Sequence, residues 1–237
     1  MKNVYIAGVG NTVFGRLEGH STLDLMAQAA KEALSSAELE RKDIDGVLCG
    51  YSTTMPHLMM STLFCERFSL RPTYAHSLQV GGATGAAMVM LARELVAIGR
   101  CKNVLVVAGE NRLTGQTRDS SIQTLAQVGH ADFEVPNGAS VPAYYGLMAS
   151  RYMYETGVTN EDLAEFAVLM RENAIHHPDA HLTTPISIAE VLASKSIAEP
   201  LRLLDCCPIS DGAVAVIVSS TPPQGARVRM TGAGQAH

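Results

Sequence analysis

The first 110 residues alternate short apolar runs with segments of helical periodicity, and this alternation limits the fold more than any other feature. Val4 to Val9 is a β-branched run beside glycines, and Asn103 to Glu110 ("NVLVVAGE") is nearly all apolar. An unbroken apolar run is expected of a strand that is covered on both faces. Two further runs, "DIDGVLCGYS" and "TYAHSLQV", are also typical of strands. The alternation predicts an α/β fold in which a mostly parallel sheet lies between helices.

The most apolar helical segment follows a glycine-rich turn. The stretch "SLQVGGATGAAMVMLARELVAIG" carries no charge before Arg93, which predicts a buried central helix that begins near Gly82. The first amides of a helix attract negative charge, and glycines let a ligand approach the backbone closely. This helix start is therefore a candidate site for an oxyanion or a thioester carbonyl. The alternative is a tight turn with a purely structural role, and the residues alone favour neither.

A second region interrupts the alternation. It is polar at first and then contains two helical segments, near Val141 to Glu155 and Asn160 to His176, before a strand pattern returns at Asp211 in "DGAVAVIVSS". Long insertions between strands often line a binding site. The predicted segments are the first part of an α/β domain (1–110), a helical insertion (111–208), a returning strand (209–221) and a linker with the start of a further strand (222–237).

Charge and cysteine usage exclude several classes of protein. The formal net charge is -5 and there is no run of basic residues, which argues against a nucleic-acid partner. Arg93 and Glu94 interrupt the longest apolar run, so we expect no membrane span. The five cysteines have no zinc-site spacing, so we expect no metal. An odd number of cysteines and a strand pattern in place of a signal peptide predict a reduced, cytoplasmic protein.

Four segments carry a resemblance to a known family. They are "VYIAGVGNTVFGR", "DIDGVLCGYS", "CKNVLVVAGE" and, most specifically, "SIAEVLASKSIAEPLRLLDCCPISDGAVAVIVSS". Together they resemble the thiolase superfamily, and within it the sterol-carrier-protein or lipid-transfer-protein type related to acetyl-CoA acetyltransferases. The resemblance implies a thiolase-like layered fold with a five-stranded, mostly parallel mixed sheet, a buried central helix and a helical insertion. It also implies that the chain corresponds to the N-terminal half of such a protein.

The resemblance places the site at the start of the central helix. Family members carry a nucleophilic Cys there, and alignment on "GATG" puts that position at Gly82, which leaves it vacant in this chain. The remaining positions that the resemblance places near the substrate are Gly81, Thr84, Gly85, His130, Tyr144 and Met148. From the residues alone, His130 fits a loop better than a substrate contact, and Tyr144 and Met148 fit a helix core. Cys206 and Cys207 resemble structural residues of the family.

Two functions are consistent with the resemblance. The first is an acyl-CoA-handling enzyme, either an acyltransferase or a carbon–carbon lyase of retro-aldolase type, that works without the usual Cys nucleophile. The second is a non-catalytic relative that binds acyl-CoA or supports an active partner as a scaffold. In either case we expect a coenzyme A thioester as substrate, no permanently bound cofactor, and a homodimer formed through "TYAHSLQ". The resemblance also implies a C-terminal half and a partner protein with an OB fold.

Overall fold

The computed structural model describes residues 2–138, 140–222, 224 and 228–236. Of the predicted segment 222–237, residues 223, 225–227 and 237 lie outside this range. The regular elements, in chain order, are β1 (Tyr5–Asn11), α1 (Thr22–Ser36), β2 (Gly46–Gly50), α2 (Met60–Phe68), β3 (Tyr74–Leu78), α3 (Thr84–Ala97), β4 (Asn103–Glu110), α4 (Arg112–Gly115), α5 (Arg118–Ala126), α6 (Val141–Thr156), α7 (Asn160–Ile175), α8 (Ile188–Ala193), β5 (Ser196–Ala198), β6 (Leu201–Arg202), β7 (Gly212–Ser219) and β8 (Val228–Arg229).

The chain divides into two compact units. The first consists of Met1–Gly115 and Ser210–His237, and the second is Gln116–Ile209. The sequence analysis predicted divisions at 110/111 and 208/209. The short helix α4 belongs to the first unit, which therefore extends five residues beyond the end of β4.

A mixed sheet with the strand order β3-β2-β4-β7-β1-β8 forms the centre of the first unit. β2 pairs in parallel with β3 and β4, whereas β7 pairs antiparallel with β4 and β1, and β8 antiparallel with β1. Strands β1 to β4 therefore point one way and β7 and β8 the other, which confirms the predicted mixed sheet. Among the described strands, two of the pairings are parallel and three are antiparallel. In the part of the chain that the structure describes, the sheet has six strands rather than the predicted five. The additional strand is the two-residue β8, which lies in the segment 222–237 where the sequence indicated the start of a further strand.

Both faces of the sheet are covered. Leu105 and Val107 of β4 pack in a cluster with α1 and α2, whereas Val104 and Val106 pack in a second cluster with α3. All four side chains are buried. This coverage on both faces explains why β4 has an uninterrupted apolar sequence.

The packing of β1 against α1 depends on small residues. A Cβ added to Gly8 would lie 2.5 Å from the carbonyl oxygen of Ala33, and one added to Gly10 would lie 2.4 Å from that of Ala29. Both alanines are fully buried. The helix therefore lies directly on the backbone of β1, at a distance that only glycine permits.

The start of α1 is closed by side chains. Ser21 accepts a hydrogen bond from the N–H of Asp24, and the Asp24 carboxylate accepts one from the N–H of Ser21, so the two residues form a capping box. Arg67 of α2 also contacts the Asp24 carboxylate at 2.7 Å. The Ser21 hydrogen bonds, followed by Arg67, lower the pKa of Asp24 to about 2.

Helix α3 is buried on one face only. Met88, Ala92 and Val96 pack against the sheet, whereas Gly85 and Ala86 are exposed. The predicted buried helix is therefore corrected to one that is half covered within the described residues. The sheet can cover only one side of a helix, and the sequence shows that both sides are apolar without showing what covers each.

The second unit is mainly helical. α6 and α7 occupy the two segments with predicted helical periodicity, and their first amides are capped by Ser140 and Thr159. α5 lies in the polar stretch that showed no strong period, and Thr117 caps its start. Among the described residues, no helix has both the length and the apolar character that a membrane span requires.

Candidate functional site

The turn that leads into α3 is held by one threonine side chain. The Thr84 hydroxyl donates to the carbonyl oxygen of Gly81 at 2.7 Å and accepts from the N–H of Val80 at 3.0 Å. Gly81 has a φ of +61°, in the left-handed region that favours glycine. These contacts make Thr84 the first residue of α3, so the helix begins two residues later than predicted. The Thr84 hydroxyl is used in shaping the turn.

Gly82, the predicted vacant nucleophile position, is exposed and directly precedes Ala83, the N-cap residue of α3. No described atom lies within 4 Å of a Cβ built on Gly82, and its φ is outside the left-handed region. Gly85, in the first turn of the helix, has equally open surroundings. Neither packing nor backbone conformation within the described residues therefore requires glycine at position 82. A larger side chain, including Cys, fits there.

A cavity of about 320 Å³ opens beside the first turn of α3 at Gly85. The carboxyl ends of β2 and β4 and the start of β7 form its walls, with Phe14 and Tyr51. Glu110 and Arg112 supply its charged groups. Ligands of α/β folds usually bind at this edge of a sheet. The volume is at the low end for ligand pockets, so it suits a short acyl group rather than a complete coenzyme.

The two charged groups of the cavity are joined by a threonine hydroxyl. Thr53 donates from Oγ1 to Oε2 of Glu110 at 3.1 Å and accepts from Nε and Nη2 of Arg112 at 3.2 and 2.9 Å. The backbone N–H of Thr53 donates to the other carboxylate oxygen of Glu110. The Arg112 Nε lies 4.0 Å from Glu110 Oε2. The result is a neutral pair of opposite charges, partly exposed, at the end of β4.

Asp211 forms hydrogen bonds to the loops around this edge of the sheet. Its fully buried carboxylate accepts backbone hydrogen bonds from Leu17 at 3.0 Å, Leu113 at 2.7 Å and Thr114 at 3.2 Å. Its own backbone forms two hydrogen bonds with Gly15. A carboxylate used in this way has a structural role, as the acceptor for amides that would otherwise be unpaired.

Three of the predicted substrate contacts lie in the second unit. His130 is exposed, its Nδ1 accepts from the N–H of Asp132 at 3.2 Å, and its ring lies 4.7 Å from that of Phe133. These contacts are those of a folded loop. His130 also donates its backbone N–H to the carboxylate of Glu134.

Glu134 brings a second predicted residue to the same loop. Tyr144 of α6 hydrogen-bonds to the Glu134 carboxylate, and desolvation followed by the negative charge of Glu134 raises the pKa of Tyr144. Met148 lies one helical turn further along α6 and is exposed. The structure thus groups His130 with Tyr144 through one carboxylate and leaves Met148 on the helix surface.

The buried cysteines are poorly suited to nucleophilic chemistry. Burial raises the pKa of Cys49 and Cys101, and it raises that of Cys65 to about 11. Burial likewise raises the pKa of Cys206. A raised pKa keeps the thiol protonated at neutral pH, and the thiolate is the reactive form. Across the described part of the chain, no group of His, Cys, Asp and Glu side chains has the arrangement of a metal site.

Sequence reasoning missed the group formed by Thr53, Glu110 and Arg112. One signal was available, because Glu110 ends the apolar strand β4 and the carboxyl end of such a strand is a favoured ligand position. Thr53 gave no signal, since its role depends on a contact with a residue 57 positions away.

These observations define a layered α/β protein whose candidate site lies at the carboxyl edge of the sheet, beside a glycine-rich helix start. Residues 4–221 match the family model described as "Thiolase, N-terminal domain". The chain belongs to this family, which confirms the resemblance that the sequence motifs indicated.

Curated relatives span acyl transfer and carbon–carbon cleavage. The acetyl-CoA acetyltransferase of Methanocaldococcus jannaschii is 34% identical over 92% of this chain and 56% of its own length. The 17-hydroxy-3-oxo-4-pregnene-20-carboxyl-CoA lyase of Mycobacterium tuberculosis is 34% identical over 91% of this chain and 57% of its own length. The steroid side-chain-cleaving aldolase of Thermomonospora curvata is also 34% identical, over 91% of this chain and 56% of its own length. The chain thus spans about half the length of these relatives.

Solved structures agree with the family assignment. The structure named "Ltp2-ChsH2(DUF35) aldolase" has a TM-score of 0.76 and 30% identity, covering 92% of this chain and 55% of the other. Human mitochondrial 3-ketoacyl-CoA thiolase in complex with CoA has a TM-score of 0.69 at 15% identity, and the match covers 92% of this chain and 64% of the thiolase chain. The second similarity supports the layered fold alone.

Proposed function

We propose that this chain contributes the thioester-binding part of a protein that cleaves a carbon–carbon bond of an acyl-CoA thioester without a covalent acyl-enzyme. The observation that carries the proposal is the open position at Gly82. A thiol is absent where the family places its nucleophile, although the described surroundings leave room for one. The site therefore keeps a helix start and an adjacent cavity and lacks the group needed for acyl transfer through Cys.

Retro-aldol cleavage needs no nucleophile. A base removes the proton of a hydroxyl on the third acyl carbon, and a carbonyl forms there as the bond to the second carbon breaks. The electron pair passes into the thioester as an enolate, which takes up a proton to give the shorter thioester. The start of α3 contributes its partial positive charge to the thioester oxygen.

The residues proposed to contact the substrate differ in role. Gly81 and Gly85 leave the backbone open to the thioester, and Thr84 holds the turn that presents it. The proposed acyl contacts in the second unit are His130, Tyr144 and Met148. Coenzyme A enters with the substrate, and no permanently bound cofactor is proposed.

The named relatives include proteins that cleave carbon–carbon bonds, which supports the proposed reaction. The lyase and the aldolase are each 34% identical to this chain, and the 30% identical structure is named as an aldolase with two components. A second protein, of the OB-fold type, is accordingly proposed as a partner, together with a C-terminal half. Because acetyl-CoA acetyltransferases are also among the relatives, acyl transfer is the alternative reaction.

The proposed homodimer uses the edge of the sheet. β3 pairs with β2 on one side and is a terminal strand of the sheet, and Ala75 and His76 on it are exposed. An unpaired edge of this kind can accept a strand from a second copy. We propose a cytoplasmic location on the basis of the cysteine usage.

A second candidate function is a non-catalytic scaffold that binds acyl-CoA or an active partner. The exposed face of α3 favours it, because an apolar helix face that the described residues leave open can receive another protein surface. The absence of a thiol at position 82 favours it equally.

Intact-protein mass spectrometry with acetyl-CoA tests the proposal. We expect an acetyl adduct on the Gly82→Cys variant and none on the unmodified protein, because the site still orients a thioester. Ser35→Cys, which adds a thiol at an exposed position on α1, is the matched control and should remain unmodified. No adduct on Gly82→Cys would favour the scaffold. An adduct on the unmodified protein would place the nucleophile elsewhere, and Cys206 and Cys207 would be examined first.

A further inference from the structure

The charged pair in the 320 Å³ cavity has hydrogen-bonding capacity that its internal contacts do not use. Arg112 directs two of its five N–H donors to Thr53, and the other three have no partner among the residues that the structure describes. Each carboxylate oxygen of Glu110 accepts one hydrogen bond from Thr53 and can accept another. The cavity therefore offers donors and an acceptor together.

The Thr53 hydroxyl bridges the two charged groups. It donates to Oε2 of Glu110 and accepts from Nε and Nη2 of Arg112. Thr53 therefore fixes the two charged groups in place beside each other. A ligand would meet a pair that is already positioned, and its binding would not have to order either side chain.

The pair selects for a particular ligand chemistry. Because Glu110 and Arg112 have opposite charges 4.0 Å apart, the pair offers no net attraction to a carboxylate. A hydroxyl fits both members, since its O–H can donate to Glu110 while its oxygen accepts from Arg112. A methylene group in the same place would displace water from both charged groups without forming a hydrogen bond to either of them.

We propose that Glu110 and Arg112 bind a hydroxyl carried by the acyl group of the coenzyme A thioester, and that this makes the cavity selective for hydroxyacyl substrates. The inference rests on the proposed function, which brings a thioester to the start of α3. Gly85 of α3 lines the cavity together with the charged pair, so an acyl group held at the helix start has its neighbouring carbons beside the pair. The small volume admits a short hydroxyacyl group and excludes the coenzyme.

Calorimetric titration of the chain with three thioesters tests this selectivity. The probes are 3-hydroxybutyryl-CoA, butyryl-CoA and succinyl-CoA, which carry a hydroxyl, no polar group and a carboxylate on the acyl part. We expect 3-hydroxybutyryl-CoA to bind about tenfold more tightly than either of the others, which is about 1.4 kcal/mol.

Variants assign the preference to the charged pair. In Arg112→Met we expect the ratio of the dissociation constants for butyryl-CoA and 3-hydroxybutyryl-CoA to fall to about one, because the donors are lost. The double variant Glu110→Gln/Arg112→Met leaves no unpaired charge and keeps the measurement possible where the single variant unfolds. Arg16→Met removes an exposed arginine that pairs with Glu18, and as the matched control it should keep the tenfold ratio.

The outcomes separate this inference from the proposed function. Equal binding of all three thioesters, or tightest binding of succinyl-CoA, overturns the hydroxyl site and leaves the proposed thioester function standing. A hydroxyl preference that persists in both variants also overturns it. Binding of none of the thioesters overturns both proposals.

Discussion

Glycines serve opposite purposes on the two sides of the sheet. Under α1, Gly8 and Gly10 allow a contact so close that an added Cβ would lie within 2.5 Å of helix backbone atoms. Beside α3, an added Cβ on Gly82 or Gly85 would have no described atom within 4 Å. One side uses glycine to bring two elements of the fold together, and the other leaves a helix start open.

The two helix starts differ in the same way. α1 begins with a capping box, in which the side chains of Ser21 and Asp24 accept hydrogen bonds from backbone N–H groups at the helix start. Arg67 pairs with the Asp24 carboxylate. Among the described residues, no side chain caps the start of α3, where Ala83 is the N-cap. A fold that closes one helix start and leaves another open keeps the second available for a ligand, and this comparison can be tested by substitution.

The largest expected difference is between Gly10→Ala and Gly85→Ala. The first substitution forces a methyl group against the backbone of α1, and we expect it to lower the free energy of unfolding by about 3 kcal/mol. The second places alanine in an open helical position, where it should raise the free energy of unfolding by about 0.5–1 kcal/mol. Urea unfolding of both variants measures the difference. Equal effects would show that the two sides are packed alike.

A smaller difference is expected between two adjacent glycines. Gly81→Ala should lower the free energy of unfolding by about 1 kcal/mol, because alanine is strained at a φ of +61°. Gly82→Ala should change it by less than about 0.5 kcal/mol, since neither space nor backbone conformation requires glycine there. The same unfolding measurement applies to both. If Gly82→Ala lowered the free energy of unfolding as much as Gly81→Ala does, glycine would be required for folding at position 82 as well.

The smallest expected effect concerns the closed start of α1. The pKa of Asp24 is lowered from 3.8 to about 2 in the folded state, so the unfolded chain binds the proton first as the pH falls. The stabilisation by Asp24 is therefore complete above about pH 4 and is lost as the pH falls towards 2. Because the side chain is partly exposed, we expect less than about 1 kcal/mol.

Asp24→Asn checks this pH dependence. The variant should unfold more easily than the unmodified protein at pH 7, and the difference between the two should shrink between about pH 4 and pH 2. A difference that stays constant across this range would mean that the charge of Asp24 does not stabilise the start of α1.

The elements of the fold could be predicted where local pattern and tertiary environment agree. β4 has an apolar sequence because it is buried on both faces, as the sequence predicted. The sequence indicated the start of a strand where β8 lies, but it could not show that β8 pairs with β1 in the same sheet. The burial of α3 was overestimated, because an apolar sequence does not show whether a covering surface lies within the same unit.

The site was predictable only in part. The glycines of the turn before α3 are visible in the sequence, and the turn of Gly81 and Thr84 forms as a local contact. The cavity depends on residues that are brought together by sheet pairing, such as Thr53 and Glu110. Their side chains meet because β2 and β4 are neighbours in the sheet, and no local pattern records that pairing.

The open surroundings of Gly82 also have a genetic consequence. A glycine codon that ends in a pyrimidine becomes a cysteine codon through a single base change. At most positions of a packed protein such a change is opposed by the folding cost of the new side chain, but the described residues around Gly82 leave room for it. A thiol can therefore be gained at this position in one mutational step without a clash with those residues.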